Sequence, residues 1–175
     1  MSSELVVNAL DKIDSAFSQV HFPGEKSIVI GNLKDDEVIN TRIVFEQEKD
    51  WRLINSTILD TAPNGLASAL SFFSPKGFCF FIPAFMTADL HGKLLRVDPT
   101  FFLCLHIGAL TTPDGVVLKT NINRDFPNET AARLGVFNRQ QCEAIACYLT
   151  VVALRSDDDC AMECASGWKK LGASR

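Results

Sequence analysis

Leu66-Ala67-Ser68-Ala69-Leu70-Ser71-Phe72-Phe73-Ser74-Pro75-Lys76-Gly77-Phe78-Cys79-Phe80-Phe81-Ile82-Pro83-Ala84-Phe85-Met86-Thr87-Ala88-Asp89-Leu90-His91-Gly92 is the stretch that decides the fold. It holds six of the chain's 13 phenylalanines, and every residue between Gly77 and Thr87 is apolar. Ser74 can cap a free backbone N–H, and Pro75 suits the first helical position, where its missing N–H costs nothing. Phe73 and Phe78 flank that cap as a hydrophobic staple. Residues 75–90 then predict a helix roughly 24 Å long at ~1.5 Å per residue. That is short of the about 20 apolar residues a membrane span needs, so a helix this apolar all round is a buried central one. Pro83 removes a hydrogen bond to the Cys79 carbonyl and is expected to kink or break it.

At about 100° per residue, Phe78, Ile82, Phe85 and Asp89 share one side. Lys76, Phe80, Thr87 and His91 share the opposite one. Asp89 thus projects in line with large apolar groups, where an unpaired carboxylate is costly. It either caps a neighbour or pairs with a Lys or Arg, or it is a carboxylate in a pocket. Phe80 on the polar side is either covered by another helix or by the 110–127 loop, or is an exposed aromatic anchor at a partner interface. Asp89 and His91 form an acid/base pair only if both line one cleft, and on a regular helix they lie about 160° apart.

Working outward, 175 residues suffice for one globular domain, 1–175, with a proper core. With 47% hydrophobic and 22% charged residues, the composition is that of a soluble protein. The net charge of −4 and the scattered basic residues argue against nucleic acid as a partner. Met1-Ser2-Ser3-Glu4 lacks the basic start of a signal peptide. The six cysteines lie among apolar neighbours and read as reduced core thiols of a cytoplasmic protein.

Residues 3–20 predict an amphipathic helix with Val6, Leu10, Ile13, Phe17 and Val20 inward. Phe22-Pro23-Gly24-Glu25 is a turn, and 27–30 a short extended piece. Residues 36–48 read as helix, with strand a competitor because of their β-branched content. Asp50–Ile54 is a connector anchored by Trp51, followed by a helical piece at 57–60 and a turn at Pro63-Asn64-Gly65. Asp98-Pro99 opens a helix through Ala109, the alternative being a hairpin spanning 101–122. Residues 110–127 read as a loop. Asn138-Arg139-Gln140-Gln141 is a capping-box variant opening a helix over 139–155, with Cys142, Ile145, Ala146, Leu149 and Val152 inward. Asp157-Asp158-Asp159 begins the last helix and Gly172 ends it, with Cys160, Cys164, Trp168 and Leu171 as its core stripe. The fold class is therefore all-α, mainly helical around a Pro-kinked central helix, with α+β carrying a small hairpin as the alternative.

Catalytic and cofactor motifs are not found. Cys160 and Cys164, four apart, share a helix face, whereas Cys142 and Cys147, five apart, do not. There is no C-x-x-C, and His21, His91 and His106 lack ligand spacing, so neither a metal nor a cofactor is expected. Gly24-Glu25-Lys26-Ser27 lacks the glycines of a P-loop, and G-x-G-x-x-G and G-x-S-x-G are missing. A Cys–His nucleophilic pair stays open, because spatial neighbours do not appear in sequence.

Phe72-Phe73-Ser74-Pro75-Lys76-Gly77-Phe78 with Phe81-Ile82-Pro83-Ala84-Phe85-Met86, and later Phe137-Asn138-Arg139-Gln140-Gln141 running to Tyr148-Leu149, resembles a family of small uncharacterised bacterial proteins. In that family an F-(S/T)-P-x-G-F…(I/L)-P-A-F segment precedes an F-x-x-x-Q…Y-L helix. With Asp50-Trp51-Arg52 the resemblance covers roughly residues 35–155. Cys79, Phe80 and the 110–127 loop depart from the pattern. The resemblance implies no activity and no catalytic residues. The expected function is a non-enzymatic cytoplasmic binding or regulatory module, of immunity or accessory type, whose partner is another protein. The alternative is a small enzyme using Asp89 or a Cys–His pair in a cleft beside the central helix.

Overall fold

A computed structural model describes residues 3–31, 34–60, 69–108 and 127–175. The described residues carry eight α-helices and no strand beyond one isolated bridge, so the chain is all-α. They gather into two compact units, one of residues 1–18 with 100–175 and the other of residues 19–99. No described helix is long and apolar enough to cross a membrane.

The 19–99 unit is built on the helix read from residues 75–90. Helix α1 (Ser3–Phe17) precedes this unit, which opens with α2 (Asp36–Phe45), α3 (Ser56–Asp60) and α4 (Pro75–Leu90). The Ser74 side chain caps α4 by accepting from the Gly77 N–H at 3.0 Å, and its hydroxyl also donates to the Ser27 carbonyl. Ser74 N–H donates to the Ile28 carbonyl at 2.8 Å and Ile30 N–H to the Phe72 carbonyl at 2.8 Å. Of the extended piece expected at 27–30 only Val29 pairs, with Phe73 in an isolated antiparallel bridge, while Ser27 closes a 3₁₀ turn and Ile28 is right-handed helical. Gly77 makes this approach possible: a Cβ there would sit 2.1 Å from the Ile28 carbonyl oxygen.

Pro83 does not break α4, which runs continuously from Pro75 to Leu90. The aromatic packing around it offsets the lost hydrogen bond. Phe45, Phe73 and Phe81 lie with ring centroids 4.7 to 5.0 Å apart, and Phe85 stacks on Phe45 at 6.3 Å. Each such pair adds about 0.5–1.5 kcal/mol beyond its buried area. Helix α2 settles as helix because Val38, Thr41 and Phe45 face inward at helical spacing. Of its other β-branched residues, Ile43 and Val44 are exposed and Ile39 is half-buried. The Thr41 hydroxyl returns a hydrogen bond to the Glu37 carbonyl at 2.8 Å.

The other unit joins α1 to α5 (Pro99–Gly108), α6 (Pro127–Gly135), α7 (Arg139–Ser156) and α8 (Asp159–Ala173). Residues 101–108 are helix rather than the first arm of a hairpin. The second arm, the Pro63-Asn64-Gly65 turn and all of the expected 110–127 loop but Pro127 lie outside the described residues, and Pro127 opens α6 instead. Helix α1 stops at Phe17, three residues before its expected end, where Ser18 turns its hydroxyl back to the Ser15 carbonyl. The capping box of α7 is complete: Asn138 accepts from Gln141 N–H and Gln141 accepts from Asn138 N–H, both at 2.9 Å.

Helices α7 and α8 form a hairpin with a two-residue turn. Asp157 takes the left-handed conformation at φ 56° and Asp158 caps α8 through Ala161 N–H at 3.0 Å. Helix α5 is pinned to both. The Tyr148 and Thr100 hydroxyls meet at 3.0 Å, and the Trp168 indole donates to the Leu103 carbonyl at 3.2 Å, both buried. Trp168 in turn meets Phe137 edge-on at 5.3 Å.

Candidate functional site

Two places gather side chains with chemistry to offer. The first is in the 19–99 unit, at the C-terminal end of α4. That helix ends in a six-to-one turn, with Lys93 N–H donating to the Ala88 carbonyl at 2.9 Å and Gly92 N–H to the Asp89 carbonyl at 2.8 Å. Gly92 sits at φ 67°, a left-handed conformation glycine adopts without steric cost. The turn leaves His91 and Lys93 at the lip of a cleft of about 430 Å³.

Helix α4 supplies Ala84, Thr87, Ala88 and His91 to this cleft, and the 51–56 connector faces them with Trp51, Arg52, Asn55 and Ser56. Positions 84, 87, 88 and 91 share one helical face, and the two alanines leave the space open. Trp51 is buried, with the Arg52 guanidinium 4.5 Å from the centroid of its ring. Arg52 also lies 3.8 Å from Asp50. The basic residues lining the cleft are Arg52, His91 and Lys93, and no carboxylate lines it among the described residues. Beside it, Asp60 holds the chain that leaves α4, its carboxylate accepting N–H bonds from Leu95, Arg96 and Val97 at 2.8–3.1 Å. Desolvation pushes the Asp60 carboxyl up, but these three donors and the Arg96 charge outweigh it and hold its pKa below the ordinary value.

The sequence candidates are placed as follows. His91 is exposed and lines the cleft. Asp89 is half-buried and is not among the residues lining that cleft, so the two do not converge there. Phe80 is 1% exposed, its ring edge-on to Phe22 at 5.5 Å and to Phe81 at 4.8 Å. It is therefore a core residue and not an exposed anchor. Among the described residues Phe22, from the turn after α1, contributes to its cover; the expected cover by residues 110–126 lies outside the described residues.

The second place is in the other unit, on α8. Cys160, Cys164 and Trp168 recur every four residues and share a face. The Trp168 bond to the Leu103 carbonyl sets the register of α5 against that face. One turn earlier, Cys164 meets Cys104, its sulfur 4.0 Å from the Cys104 carbonyl oxygen. The sulfurs of Cys104, Cys160 and Cys164 all lie within 4.8 Å of one another. Cys160 is exposed, Cys104 half-buried and Cys164 buried. Cys160 thus leaves the core stripe expected of α8, and the expectation of core thiols holds for Cys79, Cys142 and Cys164 but not for Cys104, Cys147 or Cys160.

The three thiols differ in acidity. The Cys104 thiol hydrogen-bonds the Cys164 sulfur and lowers its pKa; burial opposes this and the Cys160 thiol adds to it. Cys104, donating to Cys164 and partly desolvated, is pushed up. The Cys164 charge and burial raise Cys160 as well. Cys142 is different: burial, helped by the Glu143 charge and only partly opposed by Arg175, pushes its thiol up to about 11, as for an inert core cysteine.

No curated protein and no solved structure is a match to the chain. A family model does match, over residues 6–171, a longer span than the 35–155 of the motif resemblance. It takes in both units, the cleft and the three cysteines. The chain belongs to this family, a family of unknown function designated DUF6714.

Proposed function

We propose that the protein is a non-enzymatic binding module that holds an acidic segment of a partner protein in the cleft beside α4. The observation that carries this reading is a cleft lined by Arg52, His91 and Lys93 and by no described carboxylate, in a chain whose net charge is −4. The C-terminal pole of α4 would by itself repel an anion. His91 and Lys93 sit on that pole and reverse its sign. Arg52, ordered over the Trp51 ring, offers a planar donor fork suited to a carboxylate. At about 430 Å³ the cleft has the volume of a ligand pocket. The enzymatic alternative called for Asp89 or a Cys–His pair in a cleft beside the central helix, and among the described residues neither Asp89 nor a cysteine lines this one. The six free thiols support a reducing compartment, and we place the protein in the bacterial cytoplasm.

The test is an NMR titration of the full chain with a hexaglutamate peptide and, in parallel, a hexalysine peptide. Hexaglutamate is expected to shift the amides of Arg52, Asn55, Thr87, His91 and Lys93, less so at high salt, where screening shortens to a few ångströms. The R52E/K93E variant should abolish the shifts. Shifts that fall elsewhere, or persist in R52E/K93E, refute the reading.

A further inference from the structure

We propose that Cys104, Cys160 and Cys164 form a site for one thiophilic closed-shell metal ion, Zn(II) or Cu(I), held by three sulfurs with a further position open to solvent. The site lies in the unit built of residues 1–18 and 100–175, separate from the α4 cleft, and stands or falls independently of it.

Three sulfurs bound to zinc at about 2.3 Å, spaced tetrahedrally, lie about 3.8 Å from one another. The observed limit of 4.8 Å is within about 1 Å of that, a change side-chain rotation can make without moving a helix. The scaffold beneath is fixed by the buried Trp168–Leu103 and Tyr148–Thr100 bonds, so α5 and α8 hold their ligands in register before any ion arrives. Packing does not explain the cluster, because its outermost member, Cys160, is exposed and fills no core space.

The surroundings suit a cation bound by thiolates. Cys160 is the second residue of the fifteen-residue α8, where the helix macrodipole stabilises anionic sulfur. The charges of Asp158 and Glu163 act on the same sulfurs and offset the ion's positive charge. Three soft ligands select Zn(II) or Cu(I) over Mg(II) or Ca(II), which prefer oxygen. With three ligands among the described residues and Cys160 at an exposed edge, a fourth position is left to water or a ligand from outside. A site of that kind exchanges its ion more readily than a closed four-ligand structural site.

The experiment titrates the reduced full-length chain anaerobically with Cd(II), reading the ultraviolet thiolate-to-cadmium charge-transfer absorption. Competition by Zn(II) and by Cu(I) follows, to tell the two ions apart. One equivalent of Cd(II) should saturate the band. C160S and C104S should each weaken binding at least about 100-fold, while C147S, which alters a thiol outside the cluster, should bind as wild type. Cys160 is exposed, so C160S keeps the core intact and circular dichroism verifies that it is folded. No band at one equivalent overturns the site, and so does a folded C160S that binds Cd(II) like wild type.

Discussion

Gly77→Ala has a sign that tests how the 19–99 unit is assembled. In an unconstrained helical turn, alanine for glycine stabilises by up to about 1 kcal/mol. Here the added Cβ would lie 2.1 Å from the Ile28 carbonyl oxygen and 3.0 Å from its carbonyl carbon. Ordinary van der Waals contact requires the 27–30 segment to retreat by about 1 Å. That retreat strains Ser74 N–H to Ile28, the Ser74 hydroxyl to Ser27, and Ile30 N–H to Phe72. At roughly 0.5–1.5 kcal/mol net for each bond, the loss is about 3 kcal/mol. After the helix gain is subtracted, a destabilisation of about 2 kcal/mol remains. Urea unfolding is the assay, with Trp51 fluorescence as the probe, because the other indole, Trp168, belongs to the other unit. With a slope of about 2 kcal/mol per molar, the midpoint should fall by about 1 M. A midpoint equal to or above that of wild type refutes the close approach of 27–30 to α4.

Further expectations concern the remaining polar anchors. Tyr148→Phe removes the buried hydroxyl–hydroxyl bond to Thr100 and should cost about 1 kcal/mol; a double-mutant cycle with Thr100→Val should show a coupling near 1 kcal/mol, and additivity would disprove the bond. Asp60→Asn should lower stability at pH 7 by about 1–2 kcal/mol, a figure already reduced for the exposure of the site. Because the folded pKa of Asp60 is depressed, its contribution is present above the unfolded value of about 4 and vanishes as pH falls through the folded one. The variant and wild-type melting curves should therefore converge towards pH 2, and a gap independent of pH would contradict the N–H cradle. Asp157→Gly relieves a left-handed non-glycine residue and should raise stability by up to about 1 kcal/mol, read as a higher thermal midpoint; a loss would mean the Asp157 side chain contributes something this turn geometry does not include.

What sequence made legible was local. Ser74-Pro75, Asn138 with Gln141, Gly92 and Asp158 each act on N–H or C=O groups within a few residues, so their caps follow from residue type and spacing. The same logic could have found α6, whose Pro127 at its first position and Gly135 at its last are helix start and stop signals. Of the kink or break expected at Pro83, the break does not occur, and the rings of Phe45, Phe73, Phe81 and Phe85 that pack along α4 were not visible as a cluster because Phe45 stands 28 to 40 residues from the others.

The candidate sites depended on contacts of that longer kind. Helical spacing correctly put Thr87 and His91 on one face of α4, but the partner surface of Trp51 and Arg52 comes from a 3₁₀ turn and the connector after it, for which periodicity says nothing. Phe80 looked misplaced because it was judged against its own helix alone; Phe22, nearly sixty residues earlier, contributes to its cover. The cysteines make the point most sharply. Spacing placed Cys160 and Cys164 on one face, and two thiols four apart are no metal site. The third sulfur comes from α5, and what brings it there is the indole of Trp168 reaching the Leu103 carbonyl, a bond between residues 65 positions apart. A ligand set split between two helices this way leaves no spacing signature. The residue that creates the cluster is not itself a ligand, so replacing Trp168 should loosen the three sulfurs while leaving all of them in the chain.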